Sequence, residues 1–279
     1  MASPNIDEIQ LWKERQVLGG MDMLKARCCE HHYPPHFHDT FVIASFKDGA
    51  QKHKIAQKSG VAYPGTVMVI PPGEVHTGEG ANRQEAWEYS AFYPTADSLN
   101  RIADNLFGSV RGSLDFGTSF LIGDPELARR LLDASEVALR SPSLVGRQEG
   151  VYSAFAMLMT RYGRRSRQAP AERVVDAPIR ESLDFMEENF YLPLCMGDIA
   201  ECAGLSEFHF MRLFKSRTQT TVHQHLKQLR LNAAKAMLSR GEPISEVAAS
   251  VGFYDQSHFT NSFRRVFGVT PKKYATACR

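Results

Sequence analysis

Long apolar segments are missing from this chain of 279 residues. No apolar run approaches the roughly 20 residues that a membrane-spanning helix needs, so we expect no membrane partner. The first seven residues, MASPNID, also lack the basic-then-apolar order of a secretory signal peptide. Both features predict a cytoplasmic protein.

Cysteine is scarce and scattered. The five cysteines form no C-x-x-C pair and no even framework, so they exclude a disulfide scaffold and fit reduced thiols in a cytosol. They are Cys28, Cys29, Cys195, Cys202 and Cys278. The chain also lacks a Gly-rich phosphate loop and a Ser-His-Asp arrangement for nucleophilic catalysis. We therefore predict neither enzyme activity nor a cofactor.

A strong excess of one charge is absent too. The net charge is only +2, so the whole chain does not have the strongly basic composition that marks many nucleic-acid binders. The distribution of charge is more informative, because basic residues gather after residue 210 while an acidic cluster lies upstream. That cluster is Glu181, Asp184, Glu187 and Glu188.

The hydrophobic pattern predicts several domains, which the length allows. The first predicted domain is residues 1–93, and residues 24 to about 93 contain short strand-like runs, such as 41–46 and 65–70, separated by Pro and Gly turns. This pattern is typical of a small barrel or sandwich. Residues 94–165 change to helical spacing, and Asp124-Pro125 is a helix start. These helices either form a dimer interface or pack on their own barrel. Residues 166–177 resemble a linker, and the pattern of residues 178–279 predicts a helical domain.

The last hundred residues contain the same short pattern twice. Ala200, Gly204, Phe210 and Phe214 in the first copy correspond to Ala248, Gly252, Phe259 and Phe263 in the second. The first two pairs are 48 residues apart and the last two 49, so the copies differ by one inserted residue. A short helix, a glycine turn and a second helix with a polar outer face predict a helix-turn-helix unit. Residues 220–239 predict a long helix that joins the two units.

These repeats are part of a wider pattern that resembles the AraC/XylS-type transcription regulators. The matching segments include Asp198-Ile199-Ala200, Gly204-Leu205-Ser206, Val251-Gly252-Phe253 and Phe267-Gly268-Val269-Thr270-Pro271. The resemblance implies a cupin-like N-terminal β-barrel with appended helices, followed by an all-α domain of two helix-turn-helix units joined by a long helix. It also implies a regulator that binds double-stranded DNA, responds to a small-molecule effector, acts as a homodimer and contacts RNA polymerase if it is an activator.

The resemblance assigns roles to residues of the two recognition helices. The implied base contacts are Phe208, Met211, Arg212, Gln256, Ser257, Thr260 and Asn261. The implied phosphate contacts are Lys215, Arg217, Arg264 and Arg265. Each of these base-contact residues could instead be a solvated side chain or a phosphate contact, since over half of protein–DNA hydrogen bonds go to the sugar–phosphate backbone of the DNA.

The chain departs from the family pattern after the first recognition helix. The family has Gly, then Ser or Thr, then Pro and an aromatic residue there, whereas this chain has Gln219, Thr221, Val222 and His225. We therefore expect the first of these turns to be built differently from the second.

The N-terminal domain carries two segments that resemble the half-motifs of a cupin barrel, Pro35-His36-Phe37-His38 and Pro71 to His76. His36, His38 and His76 match the three histidine ligands of metallo-cupins, but Val42 stands near the position of the glutamate ligand. We favour an effector pocket. The candidates for its lining are His36, His38, Tyr63, Glu74, His76 and Trp87.

Three alternatives stay open for this barrel. In the first alternative, the three histidines bind a metal ion such as zinc. With a complete metal site, the barrel is a metal-dependent cupin enzyme fused to a DNA-binding module. Alternatively, it only dimerises and senses nothing.

Overall fold

A computed structural model describes residues 6–82, 85–108, 113–117, 119–166 and 176–278. These residues form two compact units: the described parts of 1–33 and 38–170, which contain β-sheets and three helices, and the described parts of 34–37 and 171–279, which contain the other helices. The predicted linker 166–177 lies mostly outside the described residues, which omit 167–175. Within the described ranges, no helix is both long enough and apolar enough to cross a membrane.

Antiparallel strands dominate the N-terminal unit. The strands are β1 (Glu8–Glu14), β2 (Met21–Cys28), β3 (Tyr33–His36), β4 (Val42–Asp48), β5 (Gln51–Ile55), β6 (Lys58–Ala62), β7 (Thr66–Ile70), β8 (His76–Gly80), β9 (Trp87–Tyr93), β10 (Ser113–Asp115), β11 (Leu121–Gly123) and β12 (Arg164–Ser166). One sheet has the order β1-β2-β9-β4-β7-β11, a second has the order β3-β8-β5-β6, and β10 pairs with β12. The predicted fold class, an antiparallel β domain followed by a helical domain, is confirmed.

The two larger sheets face each other through polar and aromatic side chains. The hydroxyl of Tyr89 in β9 donates a hydrogen bond of 2.8 Å to the hydroxyl of Tyr33 in β3. The Tyr33 ring also lies edge-on to Trp87, with 6.3 Å between ring centroids. Because these partners come from different sheets, the space between the sheets is a shared interior.

Three helices cover the other face of the six-stranded sheet. They are α1 (Ala96–Phe107), α2 (Pro125–Arg140) and α3 (Leu144–Tyr162). Ile43 and Phe92 of the sheet share one buried cluster with Leu127 of α2 and Phe155 of α3, and the rings of Phe92 and Phe155 are 5.4 Å apart. The buried faces of these helices therefore pack on their own sheet, the second of the two predicted alternatives.

The strands extend beyond the predicted β region at both ends. Strand β1 and the start of β2 precede residue 24, and β11 lies within the segment 94–165 that was predicted to be helical. Strand β11 pairs with β7 at the edge of the six-stranded sheet. With only three residues, β11 is too short to show an alternating pattern in the sequence.

The C-terminal unit consists of seven described helices. They are α4 (Ala177–Asn189), α5 (Met196–Cys202), α6 (Glu207–Thr218), α7 (Val222–Ser239), α8 (Ile244–Ser250), α9 (Gln256–Phe267) and α10 (Pro271–Ala277). Helix α7 connects the pair α5–α6 to the pair α8–α9, as the sequence predicts. Two phenylalanines of α6, Phe210 and Phe214, are fully buried in the first half, and Phe259 and Phe263 of α9 are fully buried in the second.

Asp124 ties helix α2 to helix α3. Its carboxylate caps α2 by accepting from the Leu127 N–H at 3.0 Å. It also accepts from Arg161 at 2.8 Å and from the Tyr162 hydroxyl at 2.9 Å, both near the end of α3. Burial acts to raise the pKa of Asp124, but these three hydrogen bonds outweigh it and hold the pKa below its ordinary value.

We expect Asp124→Asn to lower the free energy of unfolding of the N-terminal unit by about 2 kcal/mol at neutral pH, because two bonds to a charged acceptor are lost. The folded-state pKa lies below the unfolded one, so the contribution is fully present above the unfolded value of about 3.9 and disappears as pH falls through the folded value. The gap between wild type and variant should therefore close in acid. Both tryptophans, Trp12 and Trp87, lie in this unit, so tryptophan fluorescence during urea unfolding measures it.

Asp133→Asn is the matched control, since Asp133 is an exposed carboxylate on the same helix. It should leave the free energy of unfolding nearly unchanged. A gap between wild type and Asp124→Asn that stays constant from neutral pH to pH 3 would contradict the charged role of Asp124.

Candidate functional site

Two helix-turn-helix frameworks of the same design form the C-terminal site. In α5–α6 the turn residue Gly204 has a φ of 63°, and in α8–α9 Gly252 has a φ of 82°, a left-handed backbone that favours glycine. Helix α6 follows the N-cap Ser206 and helix α9 follows the N-cap Asp255. The one extra residue of the second copy therefore lies in its turn, where Tyr254 is fully exposed.

The turn after α6 has the same backbone as the turn after α9, so the expectation that it is built differently was wrong. Gln219 adopts the left-handed conformation with a φ of 63°, as Gly268 does with a φ of 76°. The Gln219 N–H donates to the carbonyl of Lys215 at 3.1 Å, and that of Gly268 to the carbonyl of Arg264 at 2.8 Å. The Gln219 side chain also donates to the Ser216 carbonyl at 3.0 Å. A non-glycine residue therefore occupies a glycine position without changing the helix register.

The outer faces of α6 and α9 present different chemistry. On α6, Phe208 is 67% exposed and Met211 is also exposed, and the Arg212 guanidinium lies 5.7 Å from the centre of the Phe208 ring. On α9, four polar side chains line one open groove. They are Gln256, Ser257, Thr260 and Asn261. The structure thus groups the predicted base-contact residues into an aromatic–basic set and an amide–hydroxyl set.

All four predicted phosphate contacts are exposed: Lys215, Arg217, Arg264 and Arg265. Arg217 also forms an ion pair, with its Nε 2.9 Å from a carboxylate oxygen of Asp176.

Sequence reasoning did not select Lys227 of helix α7 as a site residue. Burial first, and then repulsion by Arg265, lower the pKa of the Lys227 ammonium. Two cations that repel each other at one place form a favourable site for an anion. The sequence carried a signal, because Lys227 departs from the apolar stripe of α7.

Arg230 of helix α7 serves as an internal connector. It donates to the Phe190 carbonyl at 2.7 Å and to the Leu192 carbonyl at 2.9 Å. A methyl group added at Gly252 would lie 3.1 Å from its guanidinium carbon. Burial lowers the pKa of the Arg230 guanidinium.

Three of the predicted effector-pocket residues form one cluster. His36, His38 and His76 are each no more than 8% exposed, and one ring nitrogen from each lies within 4.8 Å of the others. The Nδ1 of His36 lies 2.8 Å from the Pro34 carbonyl, and the Nδ1 of His76 lies 2.9 Å from the Glu74 carbonyl.

The other three predicted pocket residues have different surroundings. Glu74 is half-buried in the turn before β8. Trp87 is buried and stacks on Tyr89 with 4.9 Å between ring centroids. Tyr63 is 55% exposed in the turn before β7.

Two further buried polar residues, Gln51 and His53, point into the interior from β5. A side chain on Gly78 would collide with the Gln51 amide, and one on Gly60 would lie 2.9 Å from the His53 ring. Within the described part of the chain, Gln51 Oε1, His53 Nδ1 and the Trp87 indole nitrogen have no hydrogen-bond partner. Burial lowers the pKa of His53. The alternation in QKHKI, with polar residues at the buried positions, was the signal that could have revealed this lining.

Two family models match the chain. An AraC-like ligand binding domain matches residues 18–169, and a helix-turn-helix domain matches residues 199–277. Together they span both units of the structure.

Similar proteins of comparable length include two transcriptional regulators. The chain is 24% identical to the HTH-type transcriptional regulator YbfI of Bacillus subtilis, over 81% of each chain. It is 25% identical to the HTH-type transcriptional activator RhaS of Salmonella schwarzengrund, over 89% of this chain and 90% of the other. Among solved structures, an apo variant of ToxT from Vibrio cholerae has a TM-score of 0.54 at 11% identity and 98% coverage of both chains. At 11% identity, the likeness to ToxT shows a similar fold and nothing more.

The left-handed Gln219 generates a stability prediction. We expect Gln219→Gly to raise the free energy of unfolding of the C-terminal unit by roughly 0.5–1 kcal/mol, because an L-residue pays about 1–2 kcal/mol in this conformation and glycine recovers part of it. Far-UV circular dichroism during urea unfolding measures the change. Tryptophan fluorescence should stay unchanged, since both tryptophans are in the other unit.

Gly252→Ala is the opposite control. Its new methyl group would lie 3.0 Å from the Tyr191 carbonyl oxygen, at a φ of 82°, so this variant should be destabilised. A Gln219→Gly protein no more stable than wild type would show that the side-chain bond to Ser216 compensates for the backbone conformation.

Proposed function

Since the chain belongs to the AraC family of transcription regulators, we propose that it reads two successive DNA segments with α6 and α9 and that an effector in its N-terminal unit controls this binding. The helix-turn-helix domain makes it a DNA-binding protein, and the ligand-binding domain implies a small-molecule effector. The observation that carries the proposal is the pair of recognition helices: each follows a left-handed glycine turn and ends at a left-handed C-cap residue, and most of its outer residues are exposed.

The outer residues of the two helices are suited to different bases. Arg212 can pair bidentately with guanine, and Gln256 or Asn261 with adenine; each such pair contributes about 1–3 kcal/mol of discrimination. Phe208 and Met211 offer apolar contact to a thymine methyl. Ser257 and Thr260 supply hydroxyls that pair with several bases.

Phosphate contacts position the helices on the duplex. Lys215, Arg264 and Arg265 are exposed cations of α6 and α9, and Lys227 joins them because a phosphate oxygen would relieve its repulsion with Arg265. Arg217 is also exposed; its Nε pairs with Asp176, and its terminal nitrogens have further N–H donors to offer a phosphate.

The effector pocket is centred on His36, His38 and His76, with Glu74 beside His76 in the chain. The buried indole nitrogen of Trp87 offers a donor to a bound molecule, and Tyr63 lies at the exposed edge. Effector binding changes DNA affinity by the difference in its own affinity for the two states of the regulator. We assign no catalytic step to this unit, and a metal-dependent cupin enzyme remains the alternative function.

Dimerisation and location complete the proposal. Helix α3 keeps Val145, 71% exposed, and Tyr152 on its outer surface, and this apolar pair fits a second copy of the chain. As a DNA-binding regulator it works in the cytosol, and as an activator it would contact RNA polymerase.

Analytical ultracentrifugation of wild type and Tyr152→Glu tests the dimer interface on α3. A wild-type dimer that becomes a monomer in the variant supports the interface, and an unchanged oligomeric state refutes it.

The test of function is selection of genomic DNA fragments by the purified full-length protein at fixed salt, with and without a panel of small metabolites. Enrichment of a bipartite site, altered by one compound, supports the proposal. Enrichment that no compound changes would leave a DNA-binding protein that does not sense this panel. No enrichment over random DNA would overturn the regulator and favour the enzyme alternative.

Arg212 and Lys215 form a pair that separates base reading from phosphate contact. We expect Arg212→Ala to relax specificity at one base position, with a loss of about 1–3 kcal/mol on the selected site and little on random DNA. Lys215→Ala should weaken all sequences alike and reduce the salt slope by about one. Binding isotherms on both DNAs at several salt concentrations measure this. Equal losses on both DNAs for Arg212→Ala would refute its base contact.

A further inference from the structure

We propose that a basic seam between α7 and α9 binds one phosphate of the DNA backbone and takes up a proton as it does so, which makes DNA binding tighter at lower pH. The seam consists of His223 and Lys227 on α7 with His258 and Arg265 on α9. This site depends on the proposed function, because it requires α9 to lie in a groove of the DNA.

Side chains of α7 and α9 meet in the same order along both helices. Near the start of each helix, the two histidines of the seam are close enough for their charges to interact, and further along its lysine and arginine interact in the same way. Near the ends, the Lys235 ammonium of α7 lies 5.0 Å from the centre of the Phe267 ring of α9. The seam therefore follows a line along which the two helices lie side by side.

The charges that act on the seam histidine of α7 are all basic. Within the described ranges, Lys227 and Arg230 of its own helix disfavour a proton on His223, and His258 of α9 does the same. The nearby Asp255 carboxylate caps α9, where it accepts from the His258 backbone N–H at 2.7 Å. Positive charge gathered in this way attracts an anion.

The seam borders the base-reading face of α9. Asn261 lies three residues after His258 and four before Arg265, so these three side chains are neighbours along the helix. All three are exposed. A helix of about 10–12 Å diameter fills a major groove about 12 Å wide, so side chains on its flank face the phosphates of the bordering strand. The seam can therefore contact the DNA backbone while Asn261 contacts a base.

A bound phosphate changes the surroundings of His223. In the free protein, burial first and then the neighbouring basic groups lower the pKa of His223 below its ordinary value of about 6.5. A negative charge in the seam favours the protonated ring, so the pKa is higher with DNA bound than without it. By linkage, the gain in affinity is fully present below the free-protein pKa and is lost as pH rises through the bound-state pKa.

The test is fluorescence anisotropy of a labelled DNA duplex of random sequence with the full-length protein, at fixed low salt between about pH 8 and about pH 6, where histidine titrates. Random sequence suffices because every duplex carries the same phosphates. His223→Gln replaces the ring with a side chain that stays neutral. The ratio of wild-type to variant affinity should be close to one at the upper pH and on the order of tenfold at the lower pH, since one proton allows at most about tenfold per pH unit.

His209→Gln is the matched control. In the repeat, His209 precedes Phe210 on α6 as His258 precedes Phe259 on α9. It is likewise exposed but lies outside the seam, so this variant should bind like wild type at both pH values. Lys227→Gln should weaken binding at both pH values and reduce the salt slope by about one, because it removes one ammonium from the phosphate site.

Three results would overturn the proton uptake while leaving DNA binding intact. They are a loss in His223→Gln that is the same at both pH values, no loss at either pH, or an equal pH-dependent loss in His209→Gln. Far-UV circular dichroism shows whether each variant is folded. If His223→Gln is not, His223→Asn replaces it under the same criteria. Failure of the wild-type protein to bind the duplex at either pH would overturn the proposed function together with this site.

Discussion

Arg230 lies where three segments of the C-terminal unit meet: the loop after α4, helix α7 and the turn of the second helix-turn-helix unit. Its guanidinium satisfies the carbonyls of Phe190 and Leu192 just beyond the end of α4, while its own backbone belongs to α7. The turn of the second unit packs against the same guanidinium, where a side chain at Gly252 would be crowded. One long side chain thus links the loop before α5, the connecting helix and the second turn. The burial of part of this charge is tolerated because its Nε and one terminal nitrogen donate to backbone carbonyls.

Local signals were sufficient to predict much of the helical structure. Asp124-Pro125 correctly predicts the start of α2, because a helix N-cap depends only on residues that are close together in the sequence. Gly204 and Gly252 mark the turns for the same reason. The sequence could not reveal that Gln219 occupies a left-handed position, because the surrounding helices impose that conformation against its own preference. The ion pair of Arg217 with Asp176 joins residues far apart in the chain, which no local pattern shows.

The interior of the N-terminal unit illustrates the same limit. The three histidines were recognisable from their two segments, but their convergence depends on the pairing of β3 with β8 and on the bond from Gly73 to His38. The alternation in QKHKI marks Gln51 and His53 as buried polar residues, but only the structure shows that they lie opposite Gly78 and Gly60, where a larger residue would leave no room. Buried polar atoms without partners are costly. A bound molecule or ordered water that satisfies Gln51 and Trp87 would remove that cost, which is a physical reason for this unit to bind a polar ligand.

The two helix-turn-helix units share a framework but not a reading surface. The buried phenylalanines, the left-handed C-cap residues and the left-handed turn glycines repeat between α6 and α9, so packing constrains both copies alike. The outer residues are under no such constraint, and they diverge into an aromatic–basic set on α6 and an amide–hydroxyl set on α9. Tyr254, the extra residue of the second turn, adds a fully exposed ring to one copy only. If the two outer faces contact bases as we propose, their different chemistry favours an asymmetric DNA site, whose halves need not resemble each other, over a simple tandem repeat.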